Sequence, residues 1–365
     1  MRRLIVVEAR GDAAFVDRLR SAWDGGDAVL PLDPRLPDPA RRAVLAAARP
    51  EEPVEDGDAL VVATSGTTGE PKAAVLTHAA VAASARATSD RLAVDPAADR
   101  WLACLPLAHV GGLSVVTRAL VTGTPLTLHD GFDAAAVEAA ARAGATLVSL
   151  VPTALRRVDP AAFRTVVLGG SAMPPHLPPN TVTTYGMTET GSGVVYDGVP
   201  LDGVEVRIVD GEVHLRGPML LRAYRDGGDP TDADGWYATG DAGRWDAASG
   251  RLRVDGRLGD VIVTGGEKVW PAAVERVLGG WDAVAEVVVV GRPDPEWGQV
   301  VAAVVVAAEG APPPDLDAAR AVVKAELPAY AAPRELHLVG ALPRTGLGKV
   351  ARAAVIASLV GRPGA

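Results

Sequence analysis

The stretch "ALVVATSGTTGEPKAAVLTH", residues 59–78, sets how the surrounding chain is read. It opens on a short β-branched run, 59–64, with the pattern of a buried strand. Thr64 to Lys72 then reads as a loop, and residues 79–92 as a helix. A loop between strand and helix leaves backbone N–H groups unpaired and able to point at an anion. Gly66 and Gly69 permit tight turns and close approach of backbone to ligand. Ser65, Thr67 and Thr68 add hydroxyl donors, and Lys72 adds a full positive charge. An ordinary polar turn seldom combines these, so the loop reads as a phosphate cradle. It is not a Walker loop, which needs G-x-x-x-x-G-K-[ST]. Here the spacing is Gly66-x-x-Gly69-x-x-Lys72 with Ala73 next, and a P-loop kinase or GTPase is disfavoured.

Further along, short β-branched runs alternate with alanine-rich helical stretches. "TLVSLVP" (146–152) and "RTVVLGG" (164–170) predict strands, with a helix at 133–144 before them. This βαβ rhythm predicts a mainly parallel sheet covered by helices. After residue 200 the pattern changes. "VEVRIVDGEVHLRGP" (204–218) predicts a hairpin turning at Asp210-Gly211, and "RLRVDGR" (251–257) another strand. From near Gly256 a second compact α+β unit follows. It holds strands at 260–266, 285–292, 300–308 and 334–339, and helices from Pro271, at 315–327 and at 350–359. The expected fold is α/β. A large N-terminal α/β domain (1–256) carries parallel-rich sheets and a β-rich subdomain, and a small C-terminal α+β domain (257–365) follows it.

The chain has 365 residues, room for two domains, and 48% apolar residues suffice for a sizeable core. A formal net charge of −9 argues against nucleic acid as a partner. The single cysteine, Cys104, allows no intrachain disulfide and no thiol cluster for zinc. In the apolar run "WLACLPL" it reads as a small core residue. The apolar part of "MRRLIVVEARGD" is too short for a signal-peptide core, and no later run reaches a membrane span. A soluble cytoplasmic protein without membrane insertion is expected; a homodimer is compatible with the sequence.

Six stretches together carry a resemblance. "TSGTTGEPKAAVLTH" (64–78) resembles the phosphate-loop signature of the adenylate-forming superfamily, which includes acyl- and aryl-CoA synthetases, adenylation domains and luciferases. "TYGMTETG" (184–191) is similar to its adenine and magnesium motif, and "GWYATGDAGRWD" (235–246) to its ribose motif. "GRLGDVIVTGGEKVWPAAVE" (256–275) resembles its hinge and second-half-reaction loop. "GRPDPEWGQ" (291–299) recurs in the family, and "LPRTGLGKVAR" (342–352) resembles its catalytic-lysine motif. Within the superfamily, "LPLAHVGGLSVVTRAL" (105–120) and "TGGEKVWP" (264–271) look closest to the 2-succinylbenzoate–CoA ligases of menaquinone synthesis, whose short forms occur in high-GC actinobacteria.

The resemblance implies an AMP-forming acid–thiol ligase using ATP, coenzyme A and Mg²⁺, with a mobile C-terminal domain. A carboxylate attacks the α-phosphate of ATP, releasing pyrophosphate; coenzyme A thiolate then attacks the acyl-adenylate, releasing AMP. Two anions must meet in the first step, so positive charge and positioning are needed. Lys349 would bridge the carboxylate and the α-phosphate, and Thr188 would touch that phosphate. Thr64, Ser65, Gly66, Thr67, Thr68, Gly69 and Lys72 would hold the β- and γ-phosphates. Glu189 would hold Mg²⁺. Asp241 would accept from the ribose hydroxyls, with Arg257 near ribose or phosphate. Tyr185 would stack on adenine, with Gly186 and the Gly169-Gly170 backbone lining that pocket.

For the acid, Arg118 is the candidate cation for a second carboxylate, against the alternative of a snorkelling surface arginine. His109 would line the acyl pocket, or else be a core histidine. Ser192 and Gly193 would form walls. Gly265, Gly266 and Glu267 would face the cleft in the coenzyme A step, the two glycines letting a pantetheine arm pass close to backbone. The pivot would be Leu258-Gly259-Asp260, where many relatives carry Asp or Lys at the position of Gly259. Ala73 and Ala74 also depart from the family's frequent Gly-Val. The competing readings are a ligase for another acid, transfer to a carrier-protein thiol, and a silent nucleotide-binding scaffold. The last is disfavoured by Lys72, Glu189, Asp241 and Lys349 occurring together.

Overall fold

A computed structural model describes residues 1–65, 71–170, 173, 176–345 and 350–360. The stretch at 59–78 folds as a β-hairpin rather than as a strand leading directly into a helix. Asp58–Ser65 pairs antiparallel with Pro71–Thr77, and Thr64 lies opposite Lys72. Ala73, Ala74, Val75 and Leu76 are each at most 2% exposed. A run that buries both faces is stabilised as an inner strand, which decides the state of "AAVLT" against its indifferent local propensity. The helix begins only at His78, where Thr77 Oγ1 accepts from Ala80 N at 3.1 Å. Its free N–H groups therefore sit at the far end of the second strand from the loop, not beside it.

The hairpin belongs to a five-stranded sheet. Leu4–Glu8, Ala28–Leu32 and Asp58–Ser65 run parallel, Pro71–Thr77 is antiparallel, and the short strand Ala223–Tyr224 closes that edge. A seven-stranded sheet has a parallel centre of Leu126–Leu128, Trp101–Ala103, Leu147–Leu150, Thr165–Leu168 and Thr181–Met187. Ser192–Tyr196 and Val199–Pro200 complete it in antiparallel fashion. Leu147–Leu150 is buried throughout, as a strand covered on both faces must be. Apolar residues of the helices His78–Arg91 and Val110–Thr122 share one core cluster with Leu60, Leu76, Trp101 and Tyr196. Helix Ala134–Arg142 covers the seven-stranded sheet's other face.

Glu205–Val209, Glu212–Arg216, Tyr237–Trp245 and Leu252–Arg257 form an antiparallel sheet. Its first turn has Asp210 at φ 49° and Gly211 at φ 84°, the left-handed pair that Asp-Gly predicts. Residues from Ile262 to Val360 build a last sheet around the long hairpin Val284–Asp294 and Gly298–Ala307. The valine run there is continuous because both faces are covered. Val289, Val301 and Val305 pack under the helices Pro271–Gly279 and Leu316–Glu326, while Val288, Val290 and Val304 pack under Arg352–Val360. Among the described residues no helix is long and apolar enough to cross a membrane. Cys104 is 0% exposed and burial pushes its thiol up to about 12, which suits a core residue and not a nucleophile.

Candidate active site

The strand Thr181–Met187 carries its residues to the carboxyl end of the parallel strands, where open α/β sheets hold ligands. Gly169 and Gly170 end the neighbouring strand. A Cβ on Gly169 would meet the Thr184 side chain, Oγ1 at 2.6 Å, and Gly170 has φ 90°, which favours glycine for a backbone reason. Gly186 is exposed, and a Cβ there would collide with Ser192 O at 2.2 Å.

Beyond Met187 the chain turns through Thr188–Thr190. Thr190 Oγ1 accepts from Met187 N at 2.9 Å and donates to Ser192 O at 2.6 Å, which locks the turn. Glu189, 8% exposed, is held in this turn, and Tyr224 donates its hydroxyl to Glu189 Oε1 at 3.0 Å. The Tyr224 and Tyr237 hydroxyls lie 3.2 Å apart, and Lys72 Nζ sits 4.9 Å from the centroid of the Tyr224 ring. Lys72 and Glu189, far apart in sequence, are thus joined through one tyrosine. Thr188 is half-buried at the start of the same turn.

Asp241 lies on the strand Tyr237–Trp245 and is 7% exposed. Tyr185 donates to its Oδ2 at 2.8 Å, and Arg257 Nε pairs with its Oδ1 at 2.9 Å. Arg257 also donates from Nη1 to Thr239 O at 2.8 Å. Burial pushes the Asp241 carboxyl above its usual range. Arg257 and the Tyr185 hydrogen bond oppose the shift, and the charges of Glu189 and Glu212 add to it. Tyr185 is driven upward too, by burial first and then by Asp241. Asp241, Tyr185, Arg257 and Glu189 therefore form one electrostatic group.

Arg118 is not a surface arginine: it is 2% exposed within the helix Val110–Thr122. Its guanidinium lies 5.5 Å from the Trp101 ring centroid. Nη2 donates to Ser192 Oγ and, at 3.5 Å, to the Tyr196 hydroxyl, which in turn meets Thr88 Oγ1 at 3.1 Å. Its Nε and Nη1 have no hydrogen-bond partner among the described residues. A buried cation with unsatisfied donors is costly unless something completes it. Ser192 and Arg118 are thus brought into direct contact. Gly193 is not an open wall, because its Cβ position is filled by Thr184 Cβ at 2.8 Å and Tyr196 Cε2 at 3.2 Å. His109 is half-buried at the N-cap of the same helix. It neighbours Asp33, whose carboxyl is held low mainly by Arg35 and also by the charge of His109.

Gly265 and Gly266 form the turn between Ile262–Thr264 and Glu267–Val269, at φ 58° and 86°. Gly265 is exposed, but its Cβ side faces Trp297: a Cβ would meet that ring at 2.8 Å, and its N–H donates to Trp297 O at 2.9 Å. The tight turn and the packed tryptophan are enough to require glycine there. Gly266, with nothing within 4 Å of a Cβ, and exposed Glu267 remain open. Gly259 is likewise open, and Asp260 Oδ2 pairs with Arg352 Nε at 3.2 Å. Thr64 is half-buried in its strand. Gly66, Thr67, Thr68, Gly69 and Lys349 lie outside the described residues, as does the side chain of Ser65. Tyr224, Tyr237, Thr239 and Tyr196 escape the motif reading. Tyr237 and Thr239 stand inside the quoted 235–246 stretch, but Tyr224 meets Glu189 across 35 positions, which no local spacing signals.

The family of AMP-binding enzymes matches residues 21–225, and the AMP-binding enzyme C-terminal domain matches residues 273–349. A probable 2-succinylbenzoate–CoA ligase of Mycobacterium tuberculosis is 40% identical over 386 residues, covering 99% of each chain. The o-succinylbenzoate CoA synthetase of Bacillus subtilis, in complex with the acyl-adenylate intermediate OSB-AMP, superposes with a TM-score of 0.85 at 26% identity, over 100% of this chain and 90% of that one. The same enzyme in complex with ATP and magnesium ion gives a TM-score of 0.83 at 26% identity, over 97% and 89%. The chain belongs to the family of AMP-binding enzymes.

Proposed function

We propose that the protein is an ATP-dependent acid–thiol ligase that converts 2-succinylbenzoate to 2-succinylbenzoyl-CoA in menaquinone biosynthesis, working in the cytoplasm. The carboxylate oxygen bonds to the α-phosphorus as the bond to pyrophosphate breaks. The coenzyme A thiolate then takes the acyl group and AMP leaves. Arg118 carries the reading of the acid: a buried guanidinium beside Ser192, with Nε and Nη1 unpartnered among the described residues, suits a substrate with a second carboxylate. The full-length similarity to 2-succinylbenzoate–CoA ligases supports the same acid.

Lys72 secures the leaving pyrophosphate, and Lys349 supplies charge at the reacting centre. Thr188 bonds the α-phosphate. Asp241 takes the ribose hydroxyls, for which Tyr185 and Arg257 yield part of their hold on its oxygens, and Tyr185 offers its face to adenine. Glu189 fits Mg²⁺: one oxygen is engaged by Tyr224, the other is free of phenol, and this ion is held by one or two carboxylates together with substrate phosphates. When bound, the ion neutralises phosphate charge.

The division at 256/257 makes residues 257–365 a unit that turns about Leu258–Asp260 and brings Gly266 and Glu267 to the cleft for the coenzyme A step. Gly259→Ala is expected to change neither half-reaction by more than about two-fold, since nothing lies within 4 Å of the added Cβ and open-surface changes cost roughly 0.5 kcal/mol or less. Separate pyrophosphate and thioester assays check this.

The function is tested by incubating the protein with MgATP, coenzyme A and a panel of carboxylic acids while following pyrophosphate and thioester. The expected result is thioester formation with 2-succinylbenzoate preferred. No pyrophosphate with any acid removes the enzyme reading. Pyrophosphate without thioester points to a carrier-protein acceptor, and preference for benzoate or a fatty acid overturns the assignment of the acid.

A further inference from the structure

We infer that Tyr224 is a positioning residue for the metal–nucleotide step, its hydroxyl aiming Glu189 at Mg²⁺ and its ring holding Lys72 for the phosphates. The inference rests on the reading of Glu189 and Lys72 given above. An ionised carboxylate only accepts hydrogen bonds, so the single Tyr224 proton goes to Glu189 Oε1 at 3.0 Å. The Tyr237 hydroxyl, 3.2 Å from that of Tyr224, is then the donor of the second bond. The result is a directed chain, Tyr237 to Tyr224 to Glu189, and such chains polarise and strengthen their last member. The chain occupies one Glu189 oxygen and leaves Oε2 for a cation.

The ring does a second task. Lys72 Nζ lies over it at 4.9 Å, and among the described residues no carboxylate pairs with Lys72. With the ring in place, the ammonium is held by a neutral surface it can leave readily. Without it, Lys72 and Glu189 are free to neutralise each other.

Tyr224 sits on only a two-residue strand, but that strand is pinned on both sides. Arg222 makes 2.9 Å bonds to each oxygen of Asp58, and Arg225 donates to Ala48 O and Arg49 O, each at 2.9 Å.

The test is calorimetric titration of ATP into acid-free protein, once in EDTA and once in Mg²⁺. Tyr224→Phe is expected to bind ATP like wild type in EDTA and to lose most of the Mg²⁺-dependent gain, about ten-fold, as removal of a group orienting a metal ligand does. Tyr224→Leu should weaken binding in EDTA as well, by roughly three-fold, through the lost cation–π contact. Tyr237→Phe, which leaves Tyr224 intact, should give a smaller loss confined to Mg²⁺, and it serves if Tyr224→Phe does not fold. A full Mg²⁺ gain in Tyr224→Phe, or equal weakening with and without metal, overturns the inference. Glu189→Gln separates the layers. If it keeps the gain, the reading of Glu189 as a metal ligand fails; if it loses the gain while Tyr224→Phe keeps it, only the role of Tyr224 fails.

Discussion

Lys349→Ala is expected to lower pyrophosphate formation from acid and ATP at least about 100- to 1,000-fold, the cost of removing one positioned charge at a developing anion. Supplied acyl-adenylate should still be converted to thioester at close to the wild-type rate. The asymmetry follows from where the lysine is attached. Arg344 and Val350 bracket it as bridge partners, and Arg344 is tied to Glu286 at 2.7 Å. On the other side Arg352 bonds Glu275 Oε1 and Val289 O, each at 2.6 Å. Both flanks are thus fastened to the last sheet. On the proposed reading, a unit turning about Leu258–Asp260 would present Lys349 for one half-reaction and Gly266-Glu267 for the other. Separate measurement of the half-reactions decides the matter: equal loss of both contradicts a two-orientation cycle.

What could be read from the chain alone follows physical range. The Asp210-Gly211 turn and the strands around it are legible because the left-handed geometry is a property of two adjacent residues. The valine strands of the last sheet are legible because they are buried on both faces and hence apolar throughout. "AAVLT" misleads because it suits helix and strand alike, and its pairing with 58–65 on one side and 223–224 on the other settles it. In the site, Asp241, Tyr185, Arg257 and Glu189 stand inside recognisable motifs. Their mutual hydrogen bonds are visible only in three dimensions, as are Tyr224 and Tyr196, whose partners lie 35 and 108 positions away. Gly265 is ambiguous on the chain alone, because a tight turn packed on Trp297 and close approach of a ligand to backbone both call for glycine.

Arg118→Met separates the structural from the functional reading of the buried arginine. Removing one partner of a buried, hydrogen-bonded charge pair costs about 2–5 kcal/mol, so kcat/KM for 2-succinylbenzoate should fall by roughly 30- to several thousand-fold. The loss should appear mainly as a raised KM for that acid, with KM for ATP unchanged and activity toward an aryl monocarboxylate spared. Stability should move the other way. Arg118 is 2% exposed and makes bonds from Nη2 alone, so in the absence of substrate two of its nitrogens are desolvated without compensation. A buried charge with unpartnered donors is costly to hold in the fold, and Arg118 has no carboxylate partner among the described residues, so an apolar side chain of similar volume is expected to be neutral or stabilising there. Thermal unfolding of the unliganded variant should therefore occur at the wild-type temperature or above it, the usual sign of a residue kept for binding at the expense of stability. A destabilised variant whose KM for the dicarboxylate is unchanged would make Arg118 a core element braced by Ser192, Tyr196 and Trp101, and the acid would have to be recognised elsewhere.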